Sequence, residues 1–132
     1  MGCKKDDECC TSFKKLEFKN NASVLIVTDI YHIYRANKIF EDDTCIIIED
    51  ISPQAPIHYL AIPKKEIRGI SDLSETDHGI IDHLMIAIKN EMSKKGIKDY
   101  RLVINIGSEA GQTVFHLHIH VLANRTLGWP PG

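Results

Sequence analysis

The stretch 113-TVFHLHIHVL-122 places His116, His118 and His120 at every second position, with apolar Phe115, Leu117, Ile119 and Val121 between and around them. Side chains alternate faces along a strand, so this period of two predicts a strand whose histidines share one face, alternate residues lying roughly 6.6 Å apart. The four apolar residues are then expected to point into a core. A merely solvated strand face is the plain alternative, but three imidazoles that each titrate near neutrality, without assured partners, are poorly explained by packing. Two chemistries remain. One is a metal site, because His-x-His on a strand can chelate an ion; the other is nucleophilic catalysis, in which one imidazole attacks phosphorus while its neighbours orient it and handle protons.

The loop just before the histidines helps to choose. In 107-GSEAGQT-113, Gly107 and Gly111 permit close backbone approach, and Ser108, Gln112 and Thr113 offer hydroxyl or amide donors to phosphate oxygens. That combination favours a phosphate ester over a bare metal. Further upstream, 100-YRLVIN-105 reads as a strand, and before it Ile81, Leu84, Met85, Ile88 and Met92 recur at helical spacing. Ser74 and Asp77 make a capping box for that helix, and Lys94, Lys95 and Gly96 supply its stop. Earlier still, 57-IHYLAIP-63 is a strand closed by Pro63, while 37-NKIFED-42 and 44-TCIIIED-50 form a hairpin about an acidic turn. The run 23-SVLIVTDIYHIY-34 is a strand or a short buried helix, which periodicity alone leaves open. Strands clustered on either side of one long helix predict an α+β class with a mainly antiparallel sheet.

The bulk numbers narrow the partners. A chain of 132 residues is read as one domain, 23–132, behind a flexible polar extension at 1–22. A formal charge of −2, with 16 basic and 18 acidic residues intermixed, offers no footprint for nucleic acid or an acidic membrane. No apolar run reaches the roughly 18–20 residues of a transmembrane helix, and the first residues lack the core of a secretory signal. Three of the four cysteines crowd into the first ten residues, without a Cys-x-x-Cys pair, so neither a disulfide framework nor a zinc ribbon is expected. A cytoplasmic protein follows.

The pattern His116-x-His118-x-His120 followed by two apolar residues resembles the histidine triad (HIT) superfamily. Together with 50-DISPQAPIHYLAIPKK-65, 111-GQTVFHLHIHVL-122 and 129-WPPG-132, it looks like the Hint branch, the histidine triad nucleotide-binding proteins. The likeness runs from about residue 24 to 132. His120 occupies the position where the nucleotidyltransferases of the superfamily carry glutamine, which points to hydrolysis. The resemblance implies a five-stranded sheet with one long and one short helix, dimerising into a continuous sheet with two sites. It also implies hydrolysis of the P–N bond of purine nucleoside 5′-phosphoramidates, a reaction for which a neutral imidazole nucleophile needs no cofactor and no metal.

Carried over by position, His118 matches the nucleophile, His120 the residue at the phosphate and leaving group, and His116 with His58 a supporting relay. Asp50 matches the carboxylate on the ribose hydroxyls, chemically apt because a carboxylate accepts from both members of a diol. Asn105, Gly111, Gln112, Thr113 and Val114 match the phosphate-side loop; Ile48, Ile51 and Leu60 match the base pocket. Trp129 matches a tryptophan that approaches the partner subunit's site. We further expect one proton shared across the imidazoles. The alternatives are a dinucleoside polyphosphate hydrolase and a nucleotide-binding scaffold that does no chemistry.

Several positions depart from the pattern. Val24 and Val27 stand where many relatives have zinc-binding cysteines, Tyr34-Arg35 replaces an Ile-Pro, and Glu49 stands beside the nucleoside position where histidine is frequent. Gly2 and Cys3 carry the residues for double acylation, which would attach the chain to a membrane, but Asp6 stands where the motif takes Ser or Thr. An unmodified tail is expected.

Overall fold

The structure, a computed structural model, describes residues 37–132. The extension at 1–22, the start of the domain, the run 23–34 and the readings on Gly2, Cys3, Val24, Val27 and Tyr34-Arg35 lie outside the described residues.

Five strands form one antiparallel sheet: β1 (Lys38–Glu41), β2 (Cys45–Glu49), β3 (Ile57–Pro63), β4 (Tyr100–Val103) and β5 (Ile119–Ala123), in the order β1-β2-β3-β5-β4. The β1–β2 turn is made by Asp42, whose Oδ1 accepts the N–H groups of Thr44 at 2.9 Å and Cys45 at 2.8 Å, the local bonding that suits Asp to turns. Between β3 and β4 runs the single α-helix of the described residues, α1 (Ile80–Lys94). None of their helices is long and apolar enough to cross a membrane.

The helix differs from its expectation at the start. The Ser74–Asp77 box is present, but it caps a separate one-turn 3-10 segment, Glu75–Asp77. Gly79, at φ +87°, breaks the path, and α1 begins after it. The end is as expected: Gly96 at φ +70° lets its N–H bond Ser93 O and the Ile97 N–H bond Met92 O, the paired bonds of a left-handed helix stop. The buried stripe is Leu84, Ala87, Ile88, Glu91 and Met92, while Met85 turns outward at 38% exposure. Leu84, Ile88 and Met92 pack on Cys45, Ile47, Tyr59, Ala61, Ile119 and Val121. Each such buried side chain contributes roughly 1.5–3 kcal/mol, so this stripe is what holds α1 to the sheet.

The other face of the sheet carries Ile46, Ile48 and Ile62 with Leu60 and Val114, and no α-helix of the described residues covers it. The histidine stretch is only half strand. Residues 114–118 precede β5 as irregular chain; His116 and Leu117 are buried in succession, and Phe115, expected in the core, is 40% exposed under the Arg68 guanidinium. The cause is Pro63, which has no N–H to extend the ladder toward this segment. The Leu117 N–H bonds Ile67 O instead, and the His116 ring bonds the Pro63 carbonyl. The short helix of the expectation is not among the described residues, whose other helical segments are three-residue 3-10 turns.

Candidate active site

On the open face a cavity of about 420 Å³ forms over β2, β3 and β5, a volume suited to a small ligand. Ile48, Leu60 and Val114 supply an apolar wall, joined by Ile62, which the sequence reading did not single out. Glu49, Asp50, Ile51 and the unanticipated Ser52 lie at the end of β2. His118 and His120 line the centre, and Asn105, Gly111 and Thr113 close the loop side. Four expected residues lie off this lining: His58 and His116 are buried behind it, Gln112 is 4% exposed within the loop, and Trp129 is 80% exposed.

The strand register explains the assembly. Leu60 pairs with Ile48 on one side and His120 on the other, and His58 pairs with Leu122. His58 and His120 are therefore diagonal neighbours on one face, within reach of each other. His58 Nε2 lies 2.9 Å from His120 Nδ1 and 3.3 Å from Asp50 Oδ2. The rings of His118 and His120 meet edge to face, with centroids 5.1 Å apart.

Main-chain groups assign the ring tautomers, since an N–H can only donate and a carbonyl can only accept. Gln54 N–H donates to His58 Nδ1 at 3.0 Å, so the proton of neutral His58 sits on Nε2. That proton faces His120 Nδ1, which leaves the proton of His120 on its own Nε2. His118 Nδ1 is 2.7 Å from the His116 carbonyl and must donate to it, so the neutral form of His118 has its bare lone pair on Nε2. His116 Nε2 donates to Pro63 O at 2.9 Å, while its buried Nδ1 meets no partner. His118 and His120 thus carry opposite tautomers: one offers a nucleophile, the other a proton.

Burial disfavours the charged form of three of the imidazoles, His58, His116 and His120. It pushes His120 down to about 4, helped by the neighbouring His118 and His58. Burial lowers His58 against the opposing pull of Asp50, and lowers His116 as well. Desolvation thus works against a proton resting on any of these three rings. An anion in the cavity would supply the missing attraction.

The loop also works differently from its expectation. Gln112 offers no donor to the cavity: its Nε2 donates to Arg68 O at 2.9 Å and Val114 O at 3.1 Å, and its Oε1 accepts Gly107 N–H at 3.0 Å. The N–H groups of Ala110, Gly111 and Gln112 close the turn on Gly107 and Ser108. Those of Thr113 and Val114 are not used by the turn. Gly111 has φ +103°, and a Cβ there would lie 3.6 Å from the Asn105 amide nitrogen.

Two donor groups among the described residues are close enough to meet one ion: Asp50, His58 and His120, and separately Asp42, Cys45 and His83. In the first, the donors are engaged with one another in the relay. In the second, Asp42 Oδ2 bonds His83 Nε2 at 2.7 Å and Oδ1 holds the turn. Burial and the Asp42 charge push the Cys45 thiol up to about 12. This second cluster reads as a latch from the hairpin to α1. Gln54 and Pro63, which set two tautomers, escaped the sequence reading because they act through main-chain atoms that every residue type possesses.

Comparison with known proteins is consistent over most of the chain. The family model described as "Scavenger mRNA decapping enzyme C-term binding" matches residues 24–128. An uncharacterized HIT-like protein of Synechocystis sp. is 48% identical over 95 residues, 71% of this chain and 83% of that protein. A HIT family hydrolase from Legionella pneumophila superposes with a TM-score of 0.72 at 39% identity, covering 77% of this chain and 93% of the other. A histidine triad protein from Clostridium difficile gives 0.68 at 35% identity, covering 70% and 83%.

Proposed function

The chain belongs to the histidine triad (HIT) superfamily, and on that premise we propose that it hydrolyses the P–N bond of purine nucleoside 5′-phosphoramidates through a covalent nucleotidyl-histidine. The observation that carries the reading is the pair of opposed tautomers, a bare Nε2 on His118 beside an Nε2–H on His120. His118 Nε2 attacks phosphorus as the P–N bond breaks, and His120 gives its proton to the departing amine. Water then attacks the phospho-imidazole, returning a proton to His120 and releasing the nucleoside monophosphate and neutral His118. The negative phosphoryl group raises the proton affinity of His120 on binding, which charges that ring only when substrate is present. Asp50 receives the ribose hydroxyls, the apolar wall of Ile48, Leu60 and Ile51 receives the base, and the Thr113 and Val114 N–H groups face the phosphate. AMP and GMP are the expected product class.

The test is turnover of adenosine 5′-phosphoramidate in EDTA, with intact-mass detection of a nucleotidyl adduct. Wild type turns over and His118→Ala does neither. Inertness of both proteins, with AMP still bound, would make the chain a nucleotide-binding module. Faster turnover of a dinucleoside polyphosphate would move it to that sister activity.

A homodimer belongs to the same proposal. Met85 and Ile86, 38% and 56% exposed on the outer face of α1, together with the edge strand β4 support it. Trp129, stacked under Arg101 at 6.0 Å and otherwise in solvent, suits a contact with a second subunit. Ile86→Asp should shift the sedimentation of a dimer toward the monomer. The family match beginning at residue 24 supports a domain from residue 23 onward.

A further inference from the structure

We infer that Asp42, Cys45 and His83, the latch between the first hairpin and α1, form a binding site for a thiophilic divalent cation of the Zn2+ class. The inference is independent of the proposed hydrolysis, because the latch lies on the helix face of the sheet. Cys45 packs with Ile47 against α1, whereas the cavity opens over Ile48 on the opposite face.

Three donor types converge from two elements. Asp42 and Cys45 flank the β1–β2 turn, which closes through Asp42 N–H to Cys45 O at 3.0 Å. His83 arrives from the first turn of α1, where its N–H bonds Gly79 O at 2.9 Å. One donor atom of each residue lies within 4.8 Å of the other two. Ligands around a tetrahedral Zn2+ stand roughly 3.3–3.6 Å apart, given bond lengths of about 2.0–2.3 Å. Asp42 Oδ2 and His83 Nε2, at 2.7 Å, therefore need to part by only about 0.6 Å to admit the ion. Their side chains, 32% and 40% exposed, form a rim with room to move and with access for water as a fourth ligand. Cys45, fully buried, closes the floor.

The surroundings orient and balance the set. Asp42 Oδ1 accepts the N–H groups of Thr44 and Cys45, which aims Oδ2 at His83, the kind of outer bond that holds a ligating carboxylate in place. Lys64, whose charge acts on the Cys45 thiol, is paired with Glu41 at 2.6 Å. Thiolate, carboxylate and neutral imidazole together balance the two charges of the ion. A coordinated thiol is deprotonated outright, so on binding the Cys45 proton leaves to solvent, and the His83 proton moves from Nε2 to Nδ1. A donor set of sulfur, nitrogen and oxygen favours Zn2+ or Co2+ over Mg2+ and Ca2+, which take oxygen ligands.

The test uses the full chain carrying Cys3→Ser, Cys9→Ser and Cys10→Ser, so that Cys45 is its one thiol. The chain is stripped with EDTA, exchanged into metal-free buffer and titrated with Co2+. One equivalent should give the near-ultraviolet thiolate-to-cobalt band and the visible bands of a tetrahedral centre, both erased by Zn2+. His83→Ala, a change at the exposed rim, should fold and should weaken Co2+ binding at least about tenfold, the loss found even for groups one shell beyond a metal. Zn2+ and not Mg2+ should raise the urea midpoint of the parent chain, and the rise should shrink in His83→Ala. The absence of a thiolate band in excess Co2+, whatever the ion does at the histidines of the cavity, overturns the inference and leaves a hydrogen-bonded latch. A band of undiminished affinity in His83→Ala overturns it as well. Both outcomes are read without any substitution at the buried Cys45.

Discussion

Gln112 offers the sharpest perturbation, because its sequence reading and its structural role predict different outcomes for one substitution. Its amide makes three hydrogen bonds, to Gly107 N–H, Arg68 O and Val114 O, from a side chain in a residue 4% exposed. Gln112→Ala leaves all three main-chain groups without their partner. At about 1 kcal/mol net for each bond, the cost is about 3 kcal/mol, or a fall of about 12 °C or more in Tm for a domain of this size. Gln112→Glu is nearly isosteric and should cost at least as much, since two carbonyls then face a carboxylate oxygen instead of an N–H. The assay is thermal and urea unfolding with and without AMP, beside the Kd for AMP measured well below the melting range. A stability loss of this size with little change in Kd supports the staple. An unchanged Tm with AMP binding abolished would refute the reasoning and return Gln112 to the phosphate.

The remaining expectations concern acid, backbone and latch. His120 has a folded pKa of about 4 against an ordinary 6.5, so between these values the unfolded chain binds more protons. Stability should therefore be full above about pH 6.5 and decline as pH falls toward 4, and His120→Gln should flatten that decline in urea midpoints taken across the range. His58 and His116, also lowered by burial, act in the same direction. Gly111→Ala puts a Cβ at φ +103° and against the Asn105 amide; a cost of about 1–3 kcal/mol in urea unfolding and a raised KM are expected, with the His118 adduct still formed. His83→Ala removes the partly exposed latch to Asp42 and should cost about 0.5–1 kcal/mol in urea, with no change in turnover.

Local signals account for what could be read before the fold was known. Ile57–Pro63 was legible to the residue because an apolar run ends at a proline, and the first hairpin because an acidic turn separates two such runs. The helix stop at Gly96 follows from chemistry within one turn. Its start at Gly79 does not, since the Ser74 box satisfies a one-turn helix as well as a long one. Likewise His118 and His120 were legible as a pair because their spacing is covalent, whereas alternation could not foresee that the ladder stops at Ile119, short of both His118 and His116.

The amino-acid sequence by itself determined which side chains could do chemistry and most of the strands and the helix that carry them, because propensity and periodicity are properties of neighbours along the chain. Only the tertiary structure decided which proton each imidazole holds. His58 reaches His120 across 62 residues through strand register, and Gln54, Pro63 and the His116 carbonyl fix tautomers through main-chain groups. Those groups are chemically alike at nearly every position, so their effect depends on where the fold places them and leaves no mark in the sequence of residue types.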